Sequence, residues 1–428
     1  MKNEATGGLS DNFAISDVHK TRGRRMKAIS NPIKSLELFV GAGGLALGSA
    51  RAGFTHIAVL DWNSNACLTL RTNKEAGVDY VRDWDVIECD LREYDFGQYS
   101  DEIDVVFGGP PCQPFSIGGK HLGHEDERNM FPEAIRAVRV TRPKAFIFEN
   151  VKGLLRVSFS DYYDYIIHQL RFPEVKRRDS EEWTSHLSRL KKLNRSSGRP
   201  GLSYEVIYEC HNAADFGVPQ HRERVFVVGI RSDLAEKYTF PEATHSQDAL
   251  LYDQWITGDY WERHKIAKSK RPKEPTRHKH RVERLKHALE QTSKQPWRTV
   301  RDAINDLPTI KIGQTSTGIT NHFLNPGARS YPGHDGSRLD EPAKTLKAGD
   351  HGVPGGENTL RCSDGSVRYF SVRECARLQT FPDEWFFEGS WTEAMRQLGN
   401  AVPVDLAEVV SRRLAQLLLL EGPHGKGL

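Results

Sequence analysis

One cysteine lies in a loop of unusual composition. Residues 108–116 read Gly-Gly-Pro-Pro-Cys-Gln-Pro-Phe-Ser and follow directly after an apolar run. The glycines and prolines predict a rigid loop at the carboxyl end of a strand, the edge where open α/β sheets bind ligands. We therefore interpret Cys112 as a candidate nucleophile. Five further cysteines stand isolated in the sequence and are interpreted as ordinary core residues: Cys67, Cys89, Cys210, Cys362 and Cys375.

Three charged residues mark two further strand ends. Glu149 follows the apolar residues 145–148, and burial at that place would raise its pKa and suit it to donate a proton. Arg222 and Arg224 precede another apolar run, and their alternate spacing puts both on one face of a strand, where they could reach an anionic or carbonyl-rich ligand. Taken singly, Glu149 is more simply a surface-loop residue, and a solvated basic strand start explains the two arginines equally well.

A glycine-rich turn and two residues after the next apolar run indicate a cofactor. Residues 39–44, Phe-Val-Gly-Ala-Gly-Gly, lie between a predicted strand and a predicted helix, where a ligand can approach the backbone. About 20 residues further on, an acid can bind ribose hydroxyls and an indole can stack on adenine. Singly these are a turn and a helix cap, but together they favour an adenosyl cofactor. The predicted contacts are Phe39, Gly41, Gly43, Gly44, Asp61 and Trp62, with Asp90 either a partner of the adenine amino group or a loop acid.

These residues require a sheet that brings several strand ends together. Short apolar runs alternate with helix-like segments up to residue 230, which predicts a doubly wound α/β domain with a mostly parallel sheet. The predicted strands are residues 36–39, 57–60, 103–107, 145–148, 204–209 and 224–230, and the predicted helices are residues 45–52, 64–73 and 132–140. We interpret the charged residues 175–201 as an insertion at the sheet edge. Residues 1–34 are interpreted as a basic, disordered arm or a solvated tail.

Composition and charge bound the class of protein. The chain has 428 residues, with 60 Lys+Arg and 57 Asp+Glu, which give a net charge of +3. Its length and its 27% of charged residues are typical of a globular protein with a sizeable core. No apolar run approaches the ~18 residues of a membrane span, and residues 1–34 lack the apolar stretch of a secretory signal. The scattered cysteines predict free thiols, a cytoplasmic location and no metal site. The small net charge hides a basic cluster at residues 263–286, which favours an anionic partner.

Six motifs, in this order, resemble those of the DNA (cytosine-5)-methyltransferases. They are Phe-x-Gly-x-Gly-Gly at residues 39–44, Pro-Cys-Gln at 111–113, Glu-Asn-Val at 149–151, Gln-x-Arg-x-Arg at 220–224, Arg-Glu-x-x-Arg-Leu-x-x-Phe-Pro-Asp at 373–383 and Gln-x-Gly-Asn-x-Val at 397–402. The resemblance spans residues 35–404 and implies a Rossmann-like methyltransferase fold with a smaller, loop-rich target-recognition domain. The implied parts are a catalytic and cofactor-binding domain at 35–240, the recognition domain at 241–365, and a segment at 366–428 that returns to the catalytic domain.

The resemblance also implies a reaction. Cys112 adds to C6 of a cytosine flipped out of the duplex, and C5 then takes the methyl group of S-adenosylmethionine, which leaves S-adenosylhomocysteine. Glu149 acts at N3 and the exocyclic amine, Arg224 binds O2, and Arg222 holds the Cys loop or a phosphate. Implied additions to the cofactor pocket are Asn400 and Val402. The implied DNA-binding residues are Gln113, Ser116, Arg263, Lys265, Lys268, Lys270, Arg271 and Lys273.

The resemblance further implies double-stranded DNA as substrate, a restriction endonuclease as functional partner, a monomer, and a bacterial, cytoplasmic location, nucleoid-associated when on DNA. The chain departs from the family at Asp61, where many relatives have Glu, and at Gly118 and Gly119, where small polar residues are common.

Three alternative functions stay open at this point. A tRNA cytosine-5 methyltransferase of the same fold is disfavoured by the long stretch at residues 241–360 between two motifs. A DNA-binding regulator without catalysis is disfavoured by the complete set of motif residues. A thiol hydrolase that uses Cys112 with His221 lacks a carboxamide at a recognisable spacing.

Overall fold

The computed structural model describes residues 32–111, 129–195, 201–234, 236–287, 293–310, 318–332, 335–348, 358–362 and 364–420. Its main sheet has the strands β1 Ile33–Leu38, β2 Phe54–Asp61, β3 Asp85–Glu88, β4 Val105–Gly108, β5 Ala145–Val151, β6 Tyr204–Asn212 and β7 Glu223–Arg231. Their order is β3-β2-β1-β4-β5-β7-β6. Neighbours pair in parallel except β7, which is antiparallel to both β5 and β6. The predicted α/β class with a mostly parallel sheet is confirmed.

Helices alternate with these strands; the first three confirm the helices predicted at residues 45–52, 64–73 and 132–140, and the fourth was not predicted. They are α1 Gly44–Arg51, α2 Ser64–Glu75, α3 Phe131–Thr141 and α4 Ser160–Arg171. Because β1 lies between β2 and β4, the chain winds outward in opposite directions from this point of the sheet. Open α/β sheets bind ligands outside the carboxyl ends of the strands at such a point, and the glycine-rich turn directly follows the carboxyl end of β1.

The central strands are buried on both faces, as their continuous apolar sequences predict. In β5, Phe146 and Phe148 pack into the core cluster that includes residues of α3 and α4. The alternate residues Ala145 and Ile147 pack into the cluster on the other face, which includes Leu406 and Val410. Helices therefore cover both sides of the sheet.

The charged residues 175–201 contain a helix that the sequence did not predict. This helix, α5 Trp183–Arg195, packs on α4 through a small cluster with Tyr165, Phe172, Leu187 and Leu190. Because α4 also contacts β6, the edge strand of the sheet, the interpretation of this stretch as an insertion at the sheet edge stays a prediction.

Short elements follow between residues 241 and 370. They are β8 His245–Ser246, α6 Gln247–Tyr252, the π-helical turn Asp253–Thr257, α7 Asp259–Arg263, α8 Lys279–Lys286, β9 Gln295–Pro296, α9 Val300–Ile304, β10 Thr359–Arg361 and β11 Val367–Tyr369. Among the described residues, 3-10 turns occur at Phe96–Tyr99, Lys152–Leu155, Val157–Phe159, Ala213–Phe216, Lys268–Lys270 and Thr276–His278. Contacts group residues 33–428 into one compact unit, so a separate domain at 241–365 stays a prediction.

The chain then returns to the sheet through α10 Val372–Leu378, α11 Trp391–Asn400 and α12 Val404–Leu420. Helix α12 packs against α1, and a Cβ on Gly48 would lie 2.5 Å from the Cβ of Ala407, so only glycine permits this approach. In the part of the chain that the structure describes, no helix is long and apolar enough to cross a membrane.

Candidate active site

The glycine-rich turn after β1 adopts a backbone that its sequence makes possible. Phe39, Gly41 and Gly43 have φ angles of 56°, 54° and 85°, in the left-handed region. A Cβ on Gly44 would lie 2.2 Å from the carbonyl oxygen of Val402, so the segment after α11 meets the first residue of α1 directly. The structure thus brings these predicted cofactor residues together at one strand end.

Asp61, the last residue of β2, ties this turn to the second strand. Its Oδ2 accepts a hydrogen bond from the amide of Gly41 at 2.7 Å, and its Oδ1 accepts one from the amide of Asn63 at 2.9 Å. Burial raises the pKa of Asp61, while the backbone hydrogen bonds and the charge of Arg396 act in the opposite direction. The carboxylate therefore has a structural function in the turn, whatever else it binds.

The remaining predicted cofactor residues differ in their freedom to meet a ligand. The indole of Trp62 is 75% exposed beside Asp61, as a stacking platform needs to be. Both oxygens of Asp90 already accept hydrogen bonds from the Arg92 side chain, which lowers the pKa of Asp90. Asn400 is exposed at the end of α11, whereas the side chain of Val402 is buried.

Glu149 and Arg224 form a buried ion pair at the carboxyl end of β5. Arg224 Nε lies 2.6 Å from Glu149 Oε1. The register pairs Val151 with Arg224 and Glu149 with Phe226, so the two charged side chains are diagonal neighbours on one face. Burial raises the pKa of Glu149, and the positive charges of Arg224 and Arg222 oppose that rise.

The residue after Glu149 fixes the start of the Pro-Cys-Gln segment. Asn150 Nδ2 donates to the carbonyl of Pro110 at 2.9 Å, and Asn150 Oδ1 accepts from the amide of Val151 at 2.9 Å. A Cβ on Gly109 would lie 3.4 Å from Glu149 Oε2, so this carboxylate packs against the backbone two residues before Pro111. The ion pair therefore borders the loop that the sequence marks as reactive.

Three predicted residues of that loop lie outside the described residues: Cys112, Gln113 and Ser116. The described residues on either side of residues 112–128 are close together, since the amide of Met130 donates to the carbonyl of Pro111 at 3.2 Å.

Arg222 makes contacts other than those expected. It is fully buried, and its guanidinium donates to the carbonyls of Leu346 at 2.9 Å, Gly399 at 2.5 Å and Ala401 at 2.8 Å. These bonds occupy both terminal nitrogens, so a phosphate has no access to them. The expectation that Arg222 binds a phosphate is wrong for this reason, and its described contacts connect three chain segments.

The predicted DNA-binding residues divide into two groups. Arg263 pairs with Asp253 at 2.5 Å and lies over the Tyr260 ring, and Arg271 pairs with Glu262 at 2.5 Å. Their charges are thus partly neutralised within the protein. The predicted lysines are exposed and have no ion pair among the described residues: Lys265, Lys268, Lys270 and Lys273.

Two buried glutamines were missed as functional candidates. Gln220 and Gln379 are fully buried and hydrogen-bonded to each other at 3.1 Å. Gln220 begins a recognised motif and Gln379 lies inside another, so motif membership was the available signal. Their contact was not predictable because 159 positions separate them in the chain.

Comparison with known proteins gives a consistent result. The sequence profile of the C-5 cytosine-specific DNA methylase family matches residues 33–173 and 179–416. The chain is 32% identical over 402 residues to the Type II methyltransferase M.Eco47II of Escherichia coli, covering 92% of this chain and 81% of that protein. It is 32% identical over 391 residues to the Type II methyltransferase M.NgoMIV of Neisseria gonorrhoeae, covering 90% and 98%.

Solved structures show a similar fold. A prophage-encoded Escherichia coli protein described as a DNA modification methyltransferase superimposes with a TM-score of 0.54 at 21% identity, covering 90% of this chain and 99% of that one. The Dnmt2 methyltransferase of S. pombe gives a TM-score of 0.52 at 16% identity, with coverage of 91% and 99%. At these identities the likeness concerns the fold alone.

Proposed function

Because the chain belongs to the C-5 cytosine-specific DNA methylase family, we propose that the strand ends around Glu149 and Asp61 carry out its reaction. The family activity is transfer of a methyl group to C5 of cytosine in DNA, and S-adenosylmethionine supplies that methyl group. The observation that carries the assignment is the buried Glu149–Arg224 pair, which adjoins the Gly-Gly-Pro-Pro segment before Cys112.

The residues at the ends of β1 and β2 fit an adenosyl cofactor. The absence of a side chain at Gly41, where a Cβ would meet no atom within 4 Å, leaves the backbone open to close approach, and Trp62 offers an exposed ring face for adenine. Gly43 lets the turn pack closely against Leu70 and Trp385. Asp61 orients the turn through Gly41 and presents its remaining lone pairs to ribose hydroxyls. Asn400 and the backbone of Val402 close the pocket from the side of α11, and Phe39 and Gly44 shape the turn. Asp90 reaches an adenine amino group only by sharing its hydrogen bonds with Arg92.

The thiolate of Cys112 adds to C6 of the flipped cytosine. C5 then takes the methyl group of S-adenosylmethionine, whose bond between the methyl carbon and sulfur breaks so that S-adenosylhomocysteine leaves. Glu149 hydrogen-bonds N3 and the exocyclic amine and stabilises the charge that develops as sulfur adds. In its pair with Arg224 the carboxyl is ionised, and burial, which raises its pKa, eases the protonation that this task needs. Loss of the C5 proton and departure of the Cys112 sulfur then release 5-methylcytosine.

The two arginines have different tasks. Arg224 holds the Glu149 carboxylate and presents its remaining N–H groups to O2 of the base. Arg222 is a positioning residue, since its terminal nitrogens donate to backbone carbonyls of segments on two sides of the site.

Residues 241–365 serve as the DNA-recognition segment of the enzyme. They lie between residues 35–240, which carry the catalytic and cofactor-binding residues, and residues 366–428, which return to the catalytic domain. The exposed lysines contact phosphates, and Arg263 and Arg271 hold the shape of this segment through their carboxylate partners. Gln113 and Ser116 contact the DNA backbone beside Cys112.

The relatives are named Type II methyltransferases, which supports the proposed partnership with a restriction endonuclease. The enzyme protects DNA from a cognate restriction endonuclease, acts as a monomer and works in the cytoplasm on nucleoid DNA.

Replacement of Cys112 by Ser tests the assignment. Transfer of labelled methyl groups from S-adenosylmethionine to duplex DNA is expected from the unaltered protein and is expected to disappear in Cys112→Ser. Undiminished transfer by the variant would exclude Cys112 as nucleophile. Labelling of tRNA in place of DNA would reject the proposed substrate, and bisulfite sequencing of a methylated plasmid library identifies the cytosine.

A further inference from the structure

Three distant segments of the chain meet in one buried hydrogen-bond network beside the site. Gln220 precedes β7, Gln379 follows α10, and both side chains are fully buried. The Nε2 of Gln220 donates to Oε1 of Gln379 at 3.1 Å and to the carbonyl of Leu378 at 3.2 Å. Because neither side chain reaches water, each polar group depends on these partners.

One end of the network binds residues 343–346, near the end of the proposed DNA-recognition segment. Oε1 of Gln220 accepts a hydrogen bond from the amide of Leu346 at 3.0 Å. Residue Ala343 pairs with the same short stretch, since its amide donates to Pro219 at 2.9 Å and its carbonyl accepts from His221 at 2.8 Å. The segment around Ala343 and Leu346 is thus fixed to the residues that lead into Arg224.

The other end of the network holds the proposed cofactor segment. Nε2 of Gln379 donates to the carbonyls of Leu398 at 2.6 Å and Ala401 at 3.2 Å. The same Ala401 carbonyl accepts from Arg222, which also binds Leu346. A Cβ on Gly399 would lie 2.2 Å from the amide nitrogen of Ala348, so the two segments are also in direct backbone contact.

We propose that Gln220 and Gln379 are positioning residues that couple DNA binding to cofactor binding. The inference rests on the proposed function, which assigns residues 343–348 to the DNA-recognition segment and residues 399–402 to the cofactor pocket. A displacement of either segment breaks several buried hydrogen bonds at once, so each ligand stabilises the arrangement that the other one needs. Coupling of this kind is reciprocal and commonly amounts to about 5- to 150-fold in affinity.

The coupling is measured with the full chain as the ratio of two dissociation constants. Binding of a methylatable DNA duplex is titrated with and without saturating S-adenosylhomocysteine, for the unaltered protein and for Gln220→Met and Gln379→Met. Methionine keeps the volume and removes the hydrogen bonds. We expect the ratio to fall below about twofold in both variants, while each ligand alone still binds.

Gln397→Met is the matched control. Gln397 is also a buried glutamine near the cofactor segment, but it binds Thr69 at 2.8 Å and the carbonyl of Glu388 at 3.1 Å, away from Leu346. This variant is expected to keep the wild-type ratio. A wild-type ratio in folded Gln379→Met, an equal loss in Gln397→Met, or a ratio of one in the unaltered protein would each overturn the proposal. Methyl transfer by the unaltered enzyme would still support the proposed function in all three cases.

A second measurement needs no substitution. Hydrogen–deuterium exchange followed by mass spectrometry reports on the amide of Leu346, which donates to Gln220. Addition of S-adenosylhomocysteine alone is expected to slow exchange in the peptide that contains Leu346. Unchanged exchange there, with protection appearing only around residues 39–44, would also overturn the proposal.

Discussion

Two buried glutamates of the main sheet, Glu37 in β1 and Glu149 in β5, have opposite electrostatic surroundings. Glu37 is enclosed by the core, and its Oε2 has no hydrogen-bond partner among the described residues. The nearest basic group is His56, whose Nε2 lies 3.9 Å away. Glu149 instead lies 2.6 Å from the permanent charge of Arg224, with Arg222 also acting on it.

The surroundings of Glu37 and His56 favour uncharged forms of both. Burial raises the pKa of Glu37 well above its usual range and lowers the pKa of His56 to about 4. His56 Nε2 lies 3.0 Å from the carbonyl of Ala46, which can only accept, so Nε2 carries the proton and Nδ1 accepts from the Ser35 hydroxyl at 3.1 Å. At the end of β5, an arginine keeps charge inside the protein. The difference shows that charge is retained at the strand end for which we propose the chemistry and is disfavoured at Glu37 and His56.

Among the substitutions that test this comparison, Glu149→Gln should have the largest effect on activity. The amide keeps the shape but cannot transfer a proton or carry the charge that balances Arg224, so we expect kcat to fall by about 10²- to 10⁴-fold. Methyl transfer to saturating duplex DNA measures this loss. Glu37→Gln is the matched control and should retain most of the activity, because the amide resembles the protonated carboxyl that the core favours. Equal losses in the two variants would remove the functional distinction between the glutamates.

Replacement of Arg224 by Met tests whether the catalytic edge depends on charge balance. It leaves the Glu149 carboxylate buried without its partner, which should lower the free energy of unfolding by about 3–5 kcal/mol. Urea denaturation at neutral pH measures the change. The double variant Glu149→Gln/Arg224→Met should be more stable than Arg224→Met alone, because it no longer buries an unpaired charge. A double variant that is less stable than both single variants would contradict this account.

The sequence predicted the residues of the proposed catalytic site better than it predicted the contacts that hold them in place. Glu149 and Arg224 were identifiable because each lies next to an apolar run, so that sheet geometry alone brings them to one edge. Asp61 was placed correctly at the end of β2, but its hydrogen bond to Gly41 depends on the shape of the turn.

Contacts between distant segments were not predictable. Arg222 binds Leu346 and Gly399, which lie 124 and 177 positions away, and no local pattern carries that information. The basic cluster at residues 263–286 predicted an anionic partner, but its internal ion pairs were not predictable. Arg263 pairs with Asp253, and Arg271 pairs with Glu262, only once the short helices are packed. The extra helix α5 was hidden because its few apolar residues form a small cluster with α4.

The pH dependence of stability tests whether burial disfavours charge on Glu37 and on His56. Between pH 4.5 and 6.5, the ordinary pKa values of the two groups, the unfolded chain has an ionised Glu37 and a protonated His56. The folded state has the reverse, so the proton numbers are equal and the pair contributes no slope. Glu37→Gln leaves His56 alone, and stability should then rise with pH in this window by about 1.4 kcal/mol per unit. His56→Asn leaves Glu37 alone, and stability should fall with rising pH. Urea midpoints of both variants, each relative to wild type, measure these slopes. A flat profile in either variant would contradict this account, because it would mean that the remaining group keeps its ordinary pKa inside the folded protein.

The exposed pair Arg71–Glu88 separates the effect of burial from that of pairing. Arg71 Nη1 lies 3.1 Å from Glu88 Oε2, but both side chains are about 40% exposed. Water and salt screen such a pair, so Arg71→Gln should change the free energy of unfolding by less than about 1 kcal/mol, and the change should shrink further in high salt. Urea denaturation at two salt concentrations, with Arg224→Met alongside, provides the measurement. A loss at Arg71 as large as that at Arg224 would mean that removal of any ion pair destabilises this sheet. A small loss at Arg71 would mean that Arg224 matters because Glu149 is cut off from water, which is also the condition that raises its pKa for proton transfer.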